Sequence, residues 1–237
     1  MNMDAFFTLH RDLPREGPGE AADVAWACAQ LGLSARAQIA DVGCGPGGDI
    51  AALLAAAPQG HVTALDKTPH FVEQARAAWR DSDRVTVLRA DMATIANRYD
   101  LIWCAGAVYF LGVTPALTRW RKSLRAGGVV AFTEPCWFTS PPPARAAKMF
   151  ADYPAMTDEA GIVAQVAAAG YEVLGTRRLE DAAWEAYYGP LNARMDALRS
   201  TADLGLLNVL DEAEEEAACW YAHRAEYGYL VSVVVPE

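Results

Sequence analysis

Three aspartates, each at the end of a short apolar run, are the residues whose types and spacing most clearly indicate chemistry. Asp41 opens the segment DVGCGPGG, Asp66 ends HVTALD, and Asp91 ends RVTVLRAD. Carboxylates at the ends of neighbouring parallel strands meet at one edge of the sheet, where α/β folds bind their ligands. Each aspartate alone is also a common helix N-cap or turn residue. Their joint occurrence is what predicts a binding site.

The segment that begins at Asp41 is rich in glycine and fits two ligand-binding patterns. Gly43, Gly45 and Gly48 match the Gly-x-Gly-x-x-Gly pattern of dinucleotide-binding loops. Asp41, with Gly43, Gly45 and Gly47, matches Asp-x-Gly-x-Gly-x-Gly. In both patterns glycine lets backbone N–H groups approach a ligand closely. The carboxylate of Asp41 would repel a pyrophosphate, whereas it suits a nearby cationic group such as an ammonium or a sulfonium.

The order of the apolar runs predicts an α/β fold with a mostly parallel sheet. Strands are predicted at residues 37–43, 61–66, 84–91, 99–106, 125–135, 171–180 and 229–237. Helices are predicted at residues 20–32, 48–57, 69–80, 114–124 and 157–170, and residues 180–228 are expected to be mostly helical. The two late strands, separated by a long insertion, fit a hairpin added to the sheet.

Four segments follow from this order of elements. We expect an N-terminal cap segment at residues 1–19, a Rossmann-like binding domain at 20–179, a helical insertion or cap at 180–228, and the final strand at 229–237. Because ligands bind outside the carboxyl ends of parallel strands, we place the insertion on the ligand side of the sheet.

The ordered set of motifs resembles the class I S-adenosylmethionine-dependent methyltransferases of small-molecule type. It consists of DVGCGPG, TALDKTP, RADM, YDLIWCAGAVYFLG and LRAGGVVAFTEP, and covers about residues 38–178 plus the last strand. The resemblance implies a Rossmann-like seven-stranded sheet in the order 3-2-1-4-5-7-6, with strand 7 antiparallel, helices on both faces and a helical cap. It also implies S-adenosyl-L-methionine as the cofactor and methyl transfer to a small-molecule acceptor as the activity.

Two alternatives to methyl transfer stay open at this point. A non-catalytic S-adenosylmethionine-binding module would use the same loop. An NAD(P)-dependent oxidoreductase is favoured only by the Gly-x-Gly-x-x-Gly pattern, and no Tyr-x-x-x-Lys pair supports it.

The resemblance assigns the cofactor residues from one end of the ligand to the other. Asp41 and the loop Gly43–Gly47 approach the methionyl part, Asp66 the ribose, and Asp91 with Met92 the adenine. The full predicted set is Asp41, Gly43, Cys44, Gly45, Gly47, Asp66, Lys67, Asp91, Met92, and Cys104 with Ala105 beneath the methyl group. From the residues themselves, Arg15 in LPREGPG is a candidate partner of the cofactor carboxylate, with a solvated turn as the alternative.

Acceptor residues are predicted from strand ends and from the two cap segments. Glu134, Tyr109 and His10 are the candidate bases, with loop capping, core packing and surface roles as their respective alternatives. Trp184, Tyr187 and Tyr188 are candidates for the acceptor pocket wall, with cap packing as the alternative. The acidic run DEAEEEAA is interpreted as a solvated helix face. Amino-methyltransferases that act on DNA bases resemble this fold but carry an Asn/Asp-Pro-Pro-aromatic motif after the fourth strand. The sequence CAGAVYF at that place lacks the motif, which argues against a nucleobase amine as the acceptor.

The composition of the chain indicates which other partners are to be expected. A net charge of −10 with no dense Lys/Arg run disfavours nucleic acid. Five scattered cysteines without a Cys-x-x-Cys pair indicate reduced thiols, and no Cys/His cluster predicts a metal site. With neither a signal sequence nor a membrane-spanning run, we expect a soluble cytoplasmic protein, either a monomer or a homodimer.

Overall fold

Apolar runs separated by amphipathic segments produce a sheet with helices packed around it. The computed structural model describes residues 2–237, and each of the first five predicted strands is present. These are β1 (Gln38–Val42), β2 (His61–Asp66), β3 (Val85–Arg89), β4 (Tyr99–Cys104) and β5 (Leu124–Trp137). The helices of this part of the chain are α1 (Met3–Leu9), α2 (Ala21–Ala29), α3 (Ile50–Ala56), α4 (Pro69–Trp79) and α5 (Val113–Trp120).

The chain after β5 adds four helices and three strands. In order they are α6 (Ala144–Met149), β6 (Thr157–Asp158), α7 (Glu159–Ala168), β7 (Tyr171–Arg178), α8 (Asp181–Arg199), α9 (Leu204–His223) and β8 (Tyr227–Pro236). The sequence did not indicate α1, α6 or β6, because each is too short to show a periodic pattern.

The sheet runs in the order β3-β2-β1-β4-β5-β8-β7, and β6 pairs with β5 beside this path. Strands β1 to β5 are parallel, whereas β8 runs antiparallel to both β5 and β7. The predicted order and the antiparallel last strand are therefore confirmed. The numbering of the last two strands shifts by one because of the two-residue β6.

Strand β4 lies between β1 and β5 and is covered on both faces. Leu101 and Trp103 belong to one apolar cluster, and Ile102 and Cys104 to the other. Alternate side chains of a strand point to opposite faces, so a strand with helices on both sides is apolar throughout. The continuous apolar run at residues 101–104 reflects this position in the sheet.

Helix α1 packs on two consecutive helices that are distant from it in sequence, α8 and α9, beyond the carboxyl ends of the central strands. Helix α1 contacts both α8 and α9, which contact each other. The Nη2 atom of Arg194 donates a hydrogen bond to the Thr8 carbonyl at 3.0 Å, and the Gly19 N–H donates one to the Ala183 carbonyl at 3.0 Å. We call α1, α8 and α9 the cap.

An ion pair ties α2 to the edge strand β7. Asp23, 1% exposed, binds the guanidinium of Arg177, which is 25% exposed. Asp23 also accepts the N–H of Glu20 at 2.9 Å, which closes the first turn of α2. Loss of this carboxylate therefore leaves two partners unsatisfied at once.

We expect Asp23→Ala to lower the free energy of unfolding by about 2–4 kcal/mol, because it breaks a mostly buried pair. Arg125→Ala is the matched control, since Arg125 pairs with Asp100 at the surface, and should cost less than about 1 kcal/mol. Urea denaturation of both variants measures the difference. Equal losses would contradict the structural role given to Asp23.

Candidate functional site

The carboxyl ends of the central strands open into one cavity of about 760 Å³, which the cap closes on the opposite side. Its walls come from the loops after β1, β2, β3 and β4, from residues 15–18, and from α1, α8 and α9. Among the predicted site residues, those lining it are Asp41, Gly43, Cys44, Gly45, Asp66, Lys67, Asp91, Met92, Ala105, Arg15, Tyr109, His10, Trp184, Tyr187 and Tyr188.

The turn after β1 needs glycine at its first position. Gly43 has a φ of 72°, and a Cβ atom there would lie 2.7 Å from the Cβ of Ala107. The N–H groups of Gly43 and Cys44 both donate to the Leu65 carbonyl, at 2.8 and 3.1 Å. The turn is thereby held against β2, next to Asp66.

Asp41 is buried beneath this turn without a hydrogen-bond partner for its Oδ2 atom among the described residues. It is 3% exposed and lines the cavity. Burial raises the pKa of its carboxyl well above the usual value, nearby Asp49 adds to the rise, and Arg15 opposes it. A cationic ligand group beside Oδ2 would satisfy both the missing hydrogen bond and the charge.

Arg15 reaches the same end of the cavity from the N-terminal segment. Its Nε donates to the Gly17 carbonyl at 2.6 Å and its Nη2 to Asp49 Oδ1 at 3.1 Å. The other oxygen of Asp49 accepts the indole N–H of Trp103 at 2.8 Å. The solvated-turn alternative for Arg15 is thus wrong, while its pairing with a cofactor carboxylate stays a prediction.

The next two aspartates hold their own loops as well as facing the cavity. Asp66 accepts the N–H of Gly45 at 3.1 Å through Oδ2 and the N–H of Thr68 at 2.7 Å through Oδ1. Asp91 accepts the N–H of Ala93 at 2.7 Å, which begins a short 3₁₀ turn. The N-cap role considered for Asp91 is therefore present, and it leaves the second carboxylate oxygen available to a ligand.

Three predicted residues lie behind the cavity wall rather than on it. Gly47 faces the side chain of Ile50, and Cys104 is fully buried beneath Ala105 at the end of β4. Glu134 is 2% exposed at the end region of β5. Direct ligand contact by these three is not seen in the geometry, and their roles stay predictions.

Glu134 is linked to the cavity through Tyr153, which lines it. The Tyr153 hydroxyl donates a short hydrogen bond to Oε1 of Glu134, while Oε2 has no partner among the described residues. Burial raises the pKa of Glu134 to about 8, and the bond from Tyr153 opposes this rise. A carboxyl with such a pKa takes up or releases a proton near neutrality.

The cap supplies an aromatic wall. Trp184 stacks on Trp220 with ring centroids 4.9 Å apart, and the ring of Tyr188 lies 5.8 Å from Trp184. Tyr187 is 5.1 Å from Tyr188. Trp184, Tyr187 and Tyr188 therefore both pack within the cap and line the cavity, so the two interpretations given for them coexist.

His10 lines the cavity but is already engaged. Its Nδ1 lies 2.7 Å from Oε2 of Glu16, and its ring stacks on Phe6 at 3.9 Å. Burial raises the pKa of Glu16, and His10 opposes the rise. The His10–Glu16 pair is therefore a structural part of the cavity wall.

Most of DEAEEEAA is exposed, as the solvated-face interpretation expects, and exposed Glu216 in addition borders the cavity. This residue lies on the inner side of α9, where its side chain faces the cavity, and it accepts the Tyr188 hydroxyl at 3.1 Å. The spacing of Ala213, Ala217 and Trp220, all packed inward, was the available signal, because Glu216 falls within the same helical stripe. Sequence reasoning also missed Tyr153, Tyr229 and Phe150.

Two further properties concern the part of the chain from residue 2 onward. No group of three or more His, Cys, Asp or Glu side chains there is arranged to hold a metal ion. Within the same residues, no helix has the length and apolar character needed to cross a membrane.

Sequence comparison finds a similarity to methyltransferases over part of the chain. Residues 39–128 match the family described as Methyltransferase domain. The chain is 33% identical over 111 residues to trans-aconitate 2-methyltransferase of Streptomyces avermitilis, covering 44% of this chain and 41% of that protein. It is 31% identical over 105 residues to malonyl-[acyl-carrier protein] O-methyltransferase of Acetivibrio thermocellus, covering 44% of this chain and 37% of that protein. The chain thus spans less than half of either relative.

The fold is similar to that of a SAM-dependent methyltransferase from Geobacter sulfurreducens, solved in complex with S-adenosyl-L-homocysteine. The TM-score is 0.82 at 21% identity, and the alignment covers 99% of this chain and 98% of that one. This likeness concerns the fold. Together with the domain match, it confirms the predicted resemblance to class I methyltransferases.

All five cysteines are free, and four of them have thiols whose pKa burial raises, to about 11 for Cys28 and about 12 for Cys136. The pKa values of Cys44 and Cys104 also rise well above the usual value, by burial and by nearby Asp41.

We therefore expect iodoacetamide at mildly alkaline pH to alkylate these four cysteines roughly a hundredfold more slowly in the native than in the urea-denatured protein, because the thiolate is the reactive form. Mass spectrometry of a time course measures each site. Rapid alkylation of native Cys44 would mean that the turn after β1 opens readily.

Proposed function

We propose that this chain, whose residues 39–128 form a methyltransferase domain, transfers a methyl group from S-adenosylmethionine to a small-molecule acceptor. The observation that carries the proposal is the continuity of one cavity. At one end it meets the glycine turn and the three strand-end aspartates, and at the other the aromatic wall of the cap.

The residues at the strand ends fit S-adenosylmethionine better than a dinucleotide. Oδ2 of Asp41 is buried without a partner, so it suits the methionyl ammonium and opposes a pyrophosphate. Asp66 would accept the ribose hydroxyls, and Asp91 with Met92 would bind the adenine. When bound, S-adenosylmethionine would supply an electrophilic methyl group on its sulfonium.

The cap side would hold the acceptor and exclude water. Methyl transfer from a sulfonium is an in-line displacement, so alignment and a dry cavity are the main contributions of the protein. Trp184, Tyr187 and Tyr188 supply a rigid apolar wall for this purpose. The small-molecule type of acceptor agrees with a cavity that α1, α8 and α9 enclose.

For an acceptor that keeps its proton, we assign proton removal to Glu134 acting through Tyr153. The acceptor proton would pass to the Tyr153 oxygen as the Tyr153 proton passes to Glu134, so the proton ends on the carboxylate and Tyr153 is regenerated. Tyr109, with its ring 5.8 Å from that of Tyr153, forms the adjoining wall. Burial raises the pKa of Tyr109 to about 12, which disfavours Tyr109 itself as the base.

We expect isothermal calorimetry to detect saturable binding of S-adenosylhomocysteine, weakened in Asp66→Ala by about 1.5–3 kcal/mol through loss of charge-assisted hydrogen bonds. Asp83→Ala, in the exposed turn before β3, is the matched control and should bind normally. A saturable binding heat with NAD, together with none for S-adenosylmethionine or S-adenosylhomocysteine, would contradict the proposal. Binding without turnover across an acceptor panel would favour the non-catalytic module instead.

For an acceptor that the protein methylates and that loses a proton in the reaction, kcat/KM should rise as the pH passes through about 8, because the ionised form of Glu134 is the base. Glu134→Gln should abolish this dependence. Tyr153→Phe should abolish it as well, because it removes the hydroxyl through which the proton reaches Glu134. An unchanged pH profile in Glu134→Gln would show that the proton goes elsewhere.

A further inference from the structure

One carboxylate of the cap faces the cavity although its neighbours in sequence face solvent. Glu214 and Glu215 form ion pairs at the surface with Arg199 and Arg145. Glu216 instead lines the cavity and has the Tyr188 hydroxyl as its hydrogen-bond donor. The surrounding protein raises the pKa of its carboxyl by desolvation, and the bond from Tyr188 opposes that rise. The carboxylate has no cationic side chain in direct contact among its hydrogen bonds and ion pairs within residues 2–237.

The charge of the cavity is strongly biased toward acids. Among its described lining residues six are acidic, whereas only Arg15 and Lys67 carry permanent positive charge. Arg15 is paired with Asp49, and Lys67 is exposed beside Phe110 after β2. Neither belongs to the cap end.

At the cap end, Glu216 is a charged residue of the wall, on α9. His10, directly after α1, is paired with Glu16, whose side chain lies against the turn at Gly45. The carboxylate of Glu216 therefore has no ion-pair partner at the cap end among the described residues.

Aromatic side chains lie near the carboxylate of Glu216. Tyr188 binds it directly, and Tyr187 and Trp184 adjoin Tyr188. Tyr229 also lines the cavity, and its ring lies 5.4 Å from that of Trp184. A carboxylate among aromatic rings attracts an organic cation twice, by charge and through the ring faces.

We propose that the acceptor carries a protonated amine on an apolar or aromatic body, with Glu216 as the residue that binds the ammonium. This inference rests on the proposed function, and it gives that function a substrate class. It also separates this chain from the trans-aconitate methyltransferase named above, because an anion such as trans-aconitate would meet the carboxylate of Glu216 at the cap end.

The test uses the full-length protein saturated with S-adenosylhomocysteine and three probes that share a phenyl group and a two-carbon chain. These are phenethylamine, 2-phenylethanol and 3-phenylpropionate, which are cationic, neutral and anionic. We expect calorimetry to give the amine an affinity about tenfold or more above that of the carboxylate.

Glu216→Gln is the diagnostic variant, since its amide oxygen still accepts the Tyr188 hydroxyl while the charge is removed. It should weaken the amine about tenfold or more and leave the alcohol within about twofold. Glu215→Gln, on the solvent side of the same helix at 59% exposure, should change neither. Unchanged melting temperatures and S-adenosylhomocysteine affinities establish that the variants are folded and loaded.

Each remaining outcome overturns the proposal. These are tighter binding of the carboxylate, no binding of the amine to the loaded protein, or an amine affinity that Glu216→Gln does not change. Failure of S-adenosylhomocysteine to bind is distinct, because it removes the proposed function itself.

Discussion

A carboxylate buried without a partner is the constraint on which the site depends. Asp41 lies in the central strand β1, where burial disfavours its charge, and Asp49 and Asp66 add to that effect. Arg15 offsets part of it from the N-terminal segment, although Arg15 binds Asp49 rather than Asp41. An unpaired buried carboxylate is costly to folding unless a ligand completes it. The buried carboxylate of Asp41 therefore suits the binding of a cationic ligand group, at a cost to the stability of the fold.

The cap, which covers the cavity, is built from segments near the two ends of the chain. Helix α1 precedes the sheet, whereas α8 and α9 are inserted between its last two strands, and the three pack together beyond the strand ends. The bond from Gly19 to the Ala183 carbonyl fixes the N-terminal segment to α8. Arg15 and His10, which both line the cavity, lie on this same N-terminal segment.

The sheet and the cofactor end were predictable because they depend on local patterns. Strand ends such as Asp66 and Asp91 follow from apolar runs and turn residues, and the strand order follows from the motif set. The cap end depends on helix rotation and on contacts between distant segments. Glu216 was therefore assigned to solvent from its acidic neighbours, and Tyr153 carried no local signal at all. Glu134 was correctly singled out at a strand end, yet only coordinates show that it reaches the cavity through Tyr153.

Two carboxylates with different surroundings divide the work that an amine-bearing acceptor would require. Glu216 lies within the cavity and keeps a single neutral hydrogen-bond donor, an environment in which an ammonium is the stronger partner. Glu134 is sealed behind Tyr153, with a pKa of about 8, and is suited to gain a proton rather than to bind a cation. Burial raises the pKa of Tyr109, and both carboxylates add to that rise. Under the two proposals, such a cavity would select its acceptor by charge at one wall and remove a proton at another, without either carboxylate having to serve both purposes.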